Sequence, residues 1–355
     1  MSDRATFPSA HRPSPAMSVL LKGSPVLAVI LALLLGALII AAVGVSPLAA
    51  YQSMIKGAFG SPRALTQAGL RAVPLLLISL GLTLAFRSRI WNIGAEGQLY
   101  MGAWVATLFA LSFPNLPPAL MLPGLLLAGF AGGALWGLVP ALLRAYLGAN
   151  EIVTSLLLNY VAIFWVSYQV RLPMKDPTSF LPQSAVLPAP ASLPVLPGTR
   201  LHIGVILALL LVPLIAFILW KTPLGYRLRV VGSNPDAARF AGIDVPRHII
   251  IVMVISGGLA GAAGMIEVAG VHHRLIQDIS PGYGFTAIVV ALLGQLNPFG
   301  ALLASYFFAS LVIGADSMQR VVGLPVALTE VIQALVVLFV LASEAFRRHR
   351  SRVVG

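Results

Sequence analysis

The sequence predicts an all-α polytopic membrane protein of about ten transmembrane helices, arranged as two inverted four-helix units with both termini cytoplasmic. Three observations carry that expectation. The chain is 58% hydrophobic and only 10% charged, where a soluble domain carries about 25% charged residues. Its apolar residues gather into runs that approach the roughly 20 needed to span a bilayer. Its basic residues are unevenly placed. With the amino terminus inside, fifteen of the 23 Lys and Arg fall on inner segments and eight on outer ones, as the positive-inside rule requires. The net charge of +12 is thereby explained by a lipid bilayer, with no nucleic acid as partner.

In chain order, residues 1–24 are polar, carry Arg4, Arg12 and Lys22, and read as a cytoplasmic tail. The apolar run Val26–Val45 follows. It is longer than the ~7–15 residues of a signal-peptide core and reads as an uncleaved first span. Further spans are expected at Leu65–Phe86, Ala95–Leu111, Ala119–Leu143, Ile152–Val170, His202–Trp220, Ile249–Gly270, Phe285–Leu293, Ala301–Ala315 and Val326–Ala342. The transmembrane domain thus covers 25–345, with a cytoplasmic loop at 221–247 and a basic cytoplasmic tail at 346–355.

Spans two to five and seven to ten form the two units. Their offset of five spans is odd, so the second runs through the membrane upside down. Each unit has a polar, glycine-containing stretch between its first two spans: NIGAEGQ in the first, with Asn92, Gly94, Glu96, Gly97 and Gln98, and SPGYGF in the second, with Tyr283. Inverted repeats with broken helices place transport sites at such stretches. GQLNPFG, with Gln295 and Asn297, adds a third polar break. Two roles stay open for these residues. They hydrogen-bond a passing polar solute, or they support the broken helix itself, with Glu96 near the positive end of span three. Glu267 and Glu330 are expected to snorkel from span ends to water. Gly257, Gly258, Gly261 and Gly264 put small residues on one helix surface, which favours close helix packing.

The outer loop Arg171–Arg200 holds seven prolines and is expected to be extended, as a docking surface or as a plain connector. The inner loop Thr222–Arg247 is more informative. Asn234 suits a helix cap, Pro235 the first position and Asp236 the positive dipole end, while Gly242 ends the helix. Such a short helix has nothing in its own loop to receive Phe240 and Ile243. A partner protein is one receiver and lipid headgroups are the other.

No cysteine is present, so no thiolate site or lipidated cysteine exists, and no G-x-x-x-x-G-K-[ST] phosphate loop appears. HExxH and GxSxG are absent too. The His272–His273 pair lacks further ligands and reads as solvated. No catalytic residue, metal site or resident cofactor is expected in this chain.

NIGAEGQLYMGA, EIVTSLLLNY, GSNPDAARFAGI and GYGFTAIVVALLGQLNPFGALLAS, taken together and in order, resemble the permease subunits of ABC importers for nucleosides and simple sugars. That group is similar to the branched-chain amino acid permeases. The resemblance implies a bacterial inner-membrane subunit that pairs with a second permease, as a sister chain or a copy. It further implies an ATPase partner that holds ATP and Mg, and an extracytoplasmic substrate-binding protein. The Asn234–Gly242 helix then matches the coupling helix that docks on the ATPase. The residues concerned are Asn234, Pro235, Ala238, Arg239, Phe240, Gly242 and Ile243, with Arg239 and Phe240 touching the partner. Purine nucleosides are the cargo implied first and simple sugars second. An ion-coupled transporter would need paired intramembrane carboxylates, for which Glu96 alone is a candidate. An intramembrane enzyme would need a clustered catalytic set, and the spans show none.

Overall fold

The computed structural model describes residues 30–325 and, beyond them, positions 327, 328, 330–332, 334, 335, 338, 339 and 342. The expected tails at 1–24 and 346–355, the start of the first span and part of the last lie outside the described residues. The helices in chain order are α1 Ile30–Ala42, α2 Pro47–Phe59, α3 Pro62–Arg87, α4 Ala95–Ser112, α5 Pro118–Leu147 and α6 Glu151–Arg171. They continue as α7 Gly204–Lys221, α8 Pro223–Ser233, α9 Pro235–Phe240, α10 Val245–Glu267, α11 Tyr283–Leu293 and α12 Pro298–Val322. Among the described residues there is no strand, only three isolated bridges. Among the described residues six helices (α3, α5, α6, α7, α10 and α12) are long and apolar enough to cross a membrane, seven if the bent α1–α2 pair is one span.

The chain divides into two compact units, Pro62–Ser310 and the described parts of Met1–Ser61 with Leu311–Gly355. In the smaller, α1 and α2 meet at 120°. Gly44 takes φ +83° in the turn between them, and the Ser46 hydroxyl caps α2 by accepting the Ala49 N–H. Its core is Ile40, Ala50, Met318, Leu324 and Ile332.

The larger unit is built around α10, which packs on α3, α4 and α5. Small residues make this possible, because nothing apolar drives helices together inside lipid and close backbone approach must supply the attraction. A Cβ on Gly261 would fall 2.2 Å from the Gly129 carbonyl oxygen and 2.8 Å from the Gly133 Cα. One on Gly257 would fall 2.5 Å from the Gly133 oxygen, and one on Gly264 2.1 Å from the Leu99 oxygen. The GGLAGAAG run is therefore the face on which α4 and α5 sit. Past Glu267 the helix widens into a π turn, Val268–His272.

Three expectations need correction. Glu267 does not snorkel: it is 3% exposed, with His272 Nε2 3.7 Å from its carboxylate. The ninth span is longer than Ala301–Ala315, because Asp316, Ser317, Gln319 and Arg320 continue α12 rather than ending it. The inner loop holds two helices instead of one. Pro223 and the Thr222 hydroxyl, which accepts the Gly225 N–H at 3.2 Å, start α8 as well as any cap starts α9.

The proline-rich loop is extended as expected, apart from a single 3-10 turn at Ala189–Ala191. It is stitched down along its length. Ser184 N–H donates to the Leu275 carbonyl at 2.8 Å, Leu187 N–H to His273 at 2.9 Å and Leu193 N–H to Ala269 at 2.9 Å. Arg171 reaches Gln277 at 2.8 Å. At the loop's end His202 is buried against Gly204 and Gly270. The side chains that remain outward include Phe180, fully exposed, and Leu181.

If backbone contact through glycine holds α5 to α10, Gly261→Ala should destabilise the protein by about 1–3 kcal/mol, the usual result of overpacking. Leu127→Ala, on an α5 side chain 70% exposed, should leave stability unchanged. Thermal unfolding of the two variants in detergent, followed by retention of the monodisperse peak, checks both outcomes.

Candidate functional site

The expected polar stretches are brought together. Residues 90–94 leave the helix between α3 and α4, and 273–282 leave it between α10 and α11. Broken helices expose backbone N–H and C=O groups, and at membrane depth water does not satisfy them. Polar side chains do so here.

In the first break Asn92 and Gln98 form a reciprocal amide pair. Asn92 Nδ2 donates to Gln98 Oε1 at 2.8 Å, and Gln98 Nε2 donates to Asn92 Oδ1 at 3.0 Å. Asn92 Nδ2 also reaches Ser256 Oγ on α10 at 3.0 Å, while Asn92 Oδ1 accepts the Gly94 N–H at 3.1 Å. From α6, Ser155 Oγ accepts the Ile93 N–H at 3.2 Å. Asn159 bridges the break, donating to the Ile93 carbonyl at 2.9 Å and accepting the Gly97 N–H at 2.8 Å. Gly97 is required at that contact: a Cβ there would lie 2.8 Å from the Asn159 Cα.

The second break is capped from the first. Glu96 is 2% exposed, yet its carboxylate does not serve the start of its own helix. Gly284 N–H, in the first turn of α11, donates to Glu96 Oε2 at 2.6 Å. The Ser280 hydroxyl and the Gly282 N–H face the same carboxylate, and Ser280 Oγ accepts the Tyr283 N–H at 3.0 Å. Gly282 supplies φ +90° at the turn, which favours a residue without Cβ. A Cβ on Gly284 would stand 2.2 Å from the Glu96 nitrogen, so backbone meets backbone where the two stretches cross. An anionic side chain at a helix amino terminus gains from the macrodipole, most where water is excluded.

Gln295 and Asn297 lie at the other end of α11, more than ten residues from this crossing. Gln295 and Leu296 take φ of 56° and 52°, a reversed turn whose carbonyls receive Arg87: Nε to Leu296 at 2.9 Å and Nη2 to Gln295 at 3.3 Å. Asn297 Oδ1 accepts the Phe299 N–H at 3.0 Å and so caps α12. A cavity of about 500 Å³ opens beside this turn, lined in part by Gln295, Asn297, Phe299 and Phe307. A second, of about 340 Å³, lies between α3, α7 and the first half of α12, with Thr66, Ser305 and Tyr306 among apolar walls.

At the same end, α9 matches the expected cap in detail. Asn234 Oδ1 accepts the Asp236 and Ala237 N–H groups at 2.9 and 3.1 Å, and Gly242 takes φ +74°. Ala238 is buried, Arg239 pairs with Asp236 at 2.8 Å, and Phe240 is 95% exposed. Ile243, expected to be exposed, is only half-buried. Ser155, Asn159, Ser256 and Arg87 are the structural contributors that motif reading passed over. Their signal is simple: each is polar within or at the edge of an apolar helix, where a partner is obligatory.

Gln98→Leu leaves both amide groups of Asn92 short of a partner and should lower stability by about 1–3 kcal/mol. Asn92 and Gln98 replaced together by Leu should cost less than the two single changes summed, since each amide is the other's main partner. A double-mutant cycle of unfolding midpoints in detergent measures the difference.

Comparison with known proteins agrees with this layout. The family model for the branched-chain amino acid transport system permease component matches residues 65–341. The glucose ABC transporter permease protein TsgB13 of Haloferax volcanii is 41% identical over 92% of this chain and 89% of its own. The guanosine ABC transporter permease protein NupP of Bacillus subtilis is 35% identical over 91% and 94%. The nucleoside ABC transporter permease protein NupB of Lactococcus lactis subsp. cremoris is 33% identical over 89% of each. No solved structure matches the chain. With the family model covering both polar breaks, α9 and the helices between them, this multi-pass membrane protein belongs to the family of branched-chain amino acid transport system permease components.

Proposed function

We propose that this chain is one permease subunit of an ABC importer, crossing a bacterial inner membrane about ten times with both termini inside. It forms half of a pathway that opens alternately to each side. A partner ATPase binds ATP and Mg, a second permease completes the path, and an external binding protein delivers the cargo. The domain layout of tail, transmembrane region 25–345 and basic tail follows the same reading. The crossing of NIGAEGQ and SPGYGF supports an inverted repeat, since matching breaks of two oppositely oriented units meet at their interface.

The observation that carries the proposal is α9. A six-residue helix is too short to be stable alone, so its cap, its Asp236–Arg239 pair and its buried Ala238 hold it in place. It then presents Phe240 at 95% exposure. An aromatic ring held out on a braced helix is what a groove in a partner receives. Arg239 stands next to it, and Asn234, Pro235 and Gly242 set the helix ends.

Nucleosides are the cargo proposed first, on the likeness to the two nucleoside permeases together with the NIGAEGQ form. A simple sugar is the second reading, favoured by 41% identity to the glucose permease. The buried residues of the first break bear on both. Asn92, Gln98 and Glu96 spend their hydrogen bonds on Gly94, Ser256 and Gly284, so they shape the pathway and leave selection to the binding protein.

Phe240→Asp places a charge where an apolar groove is expected. It should abolish co-purification of the ATPase and reduce energised uptake by more than about tenfold, the loss expected when an interface anchor is removed. Retained ATPase capture and uptake would remove the coupling assignment. Uptake of labelled guanosine and labelled glucose, with and without the gene, separates the two cargo readings.

A further inference from the structure

Between α9 and the buried crossing runs a continuous series of close contacts, and it ends on α11. It begins at α8, which packs on α3, α7, α9 and α10. A Cβ on Gly232, near the α8 carboxyl end, would fall 2.0 Å from the Arg87 carbonyl oxygen and 2.9 Å from the Ser88 Cα. The α8 backbone therefore presses directly on the last turn of α3. One helical turn earlier, the Arg229 guanidinium carbon lies 5.1 Å from the centre of the Trp220 ring, and Arg229 Nη1 donates to the Leu219 carbonyl. The Arg87 guanidinium carbon lies 5.0 Å from the same Trp220 ring. Arg87 then donates to the Leu296 and Gln295 carbonyls just past the carboxyl end of α11.

α11 is thus held at both ends by opposite charges. Arg87 from α3 sits at its negative end, and Glu96 from α4 sits at its positive end through Gly284 N–H. Both placements follow the helix dipole. α11 has only 11 residues and spans about 16 Å, roughly half of the hydrocarbon thickness, so the expected eighth span is helical over only part of its crossing and the non-helical stretch 273–282 precedes it. It packs along α3 and touches α4, and with both ends held it moves as one rigid strut.

We propose that Arg87 and Glu96 are the two positioning residues of α11, and that the Arg229–Trp220–Arg87 contacts carry movement of α8 and α9 to it. ATP-driven displacement of α9 shifts α8. The shift reaches Arg87 through Gly232 on its backbone and Trp220 on its side chain. Arg87 draws the carboxyl end of α11, and α11 turns against Glu96 at the crossing of the two breaks. The inference rests on α9 being the helix that docks on the ATPase, and it goes further by naming the element that responds.

The natural chain contains no cysteine, so Phe285→Cys on the partly exposed side of α11 provides a single reporter thiol. The importer carrying it, with its ATPase and second permease, is placed in liposomes. Maleimide labelling is timed with no nucleotide and with ATP, Mg and vanadate. The rate should change by about fivefold or more, the lower range of allosteric couplings. In Trp220→Ala and Arg87→Gln backgrounds the change should largely vanish while the ATPase still co-purifies. Trp220→Phe, which keeps an aromatic face for both guanidinium groups, should retain it. The double variant should lose no more than either single one, because the contacts act in series.

A nucleotide response that persists in both Trp220→Ala and Arg87→Gln would overturn the proposal, as would strictly additive losses. A reporter that never responds while ATP is hydrolysed would overturn it too, since α11 would then not move. Should Trp220→Ala fail to accumulate, Trp220→Phe and Arg229→Gln decide in its place: response kept in the first and lost in the second supports the series, and any other pattern overturns it. Failure of the docking assignment is a separate result, read from ATPase capture by Phe240→Asp.

Discussion

A helix that breaks at membrane depth must find hydrogen-bond partners within the protein, and this requirement organises the larger unit. Each break frees N–H and C=O groups that cost several kcal/mol apiece if left bare in hydrocarbon. The buried Asn92, Glu96, Gln98, Ser155, Asn159, Ser256 and Ser280 answer that need. Asn159 and Ser155 serve the first break from α6, Ser256 and Gln98 hold Asn92 from two sides, and Glu96 serves the second break. Because the partner of each break lies on another helix, the polar network fixes the positions of α4, α6, α10 and α11 together. The glycines of α10 then bring the helices close enough for short side chains to reach.

Much of this was legible in the sequence, for identifiable reasons. The Asn-Pro-Asp start of α9 is a local signal, complete within three residues, and the structure reproduces it bond for bond. The GGLAGAAG face is local as well, since spacing alone puts the glycines on one surface. The two polar stretches stood out because apolar runs flank them. What those stretches contact was not legible. Glu96 and Gly284 are separated by 188 positions, and no spacing rule joins them. A first-turn glutamate has a familiar local role, capping its own helix, and tertiary context overrides it here.

The missed elements have a physical explanation too. α8 buries Gly225, Leu228, Val231 and Gly232 on one face, but with only 11 residues, and Arg227 and Arg229 among them, it does not stand out as an apolar run. It is held by Thr222, by Gly225 against the Ile218 and Leu219 carbonyls, and by Gly232 against Arg87. Glu267 was misplaced for the opposite reason. Its position near a span end suggested water, but the stitched loop 172–203 covers that end and excludes it.

The division of labour between the two ends of the larger unit follows from these constraints. One end carries the stitched proline-rich loop, extended and pinned to residues 269–275, and shows Phe180 outward. The other carries α8 and α9 and shows Phe240. Between them the interior offers no flexible loop through which one end could signal to the other. The helices are close-packed through glycine and the breaks are tied to other helices by hydrogen bonds, so motion passes as rigid displacement of whole helices. α11 is the member of this set that is short, gripped at its ends and free of the glycine seam that binds α10 to α4 and α5. A strut of that kind turns without breaking the seam, and the two charges at its ends keep its hydrogen bonds intact while it does so.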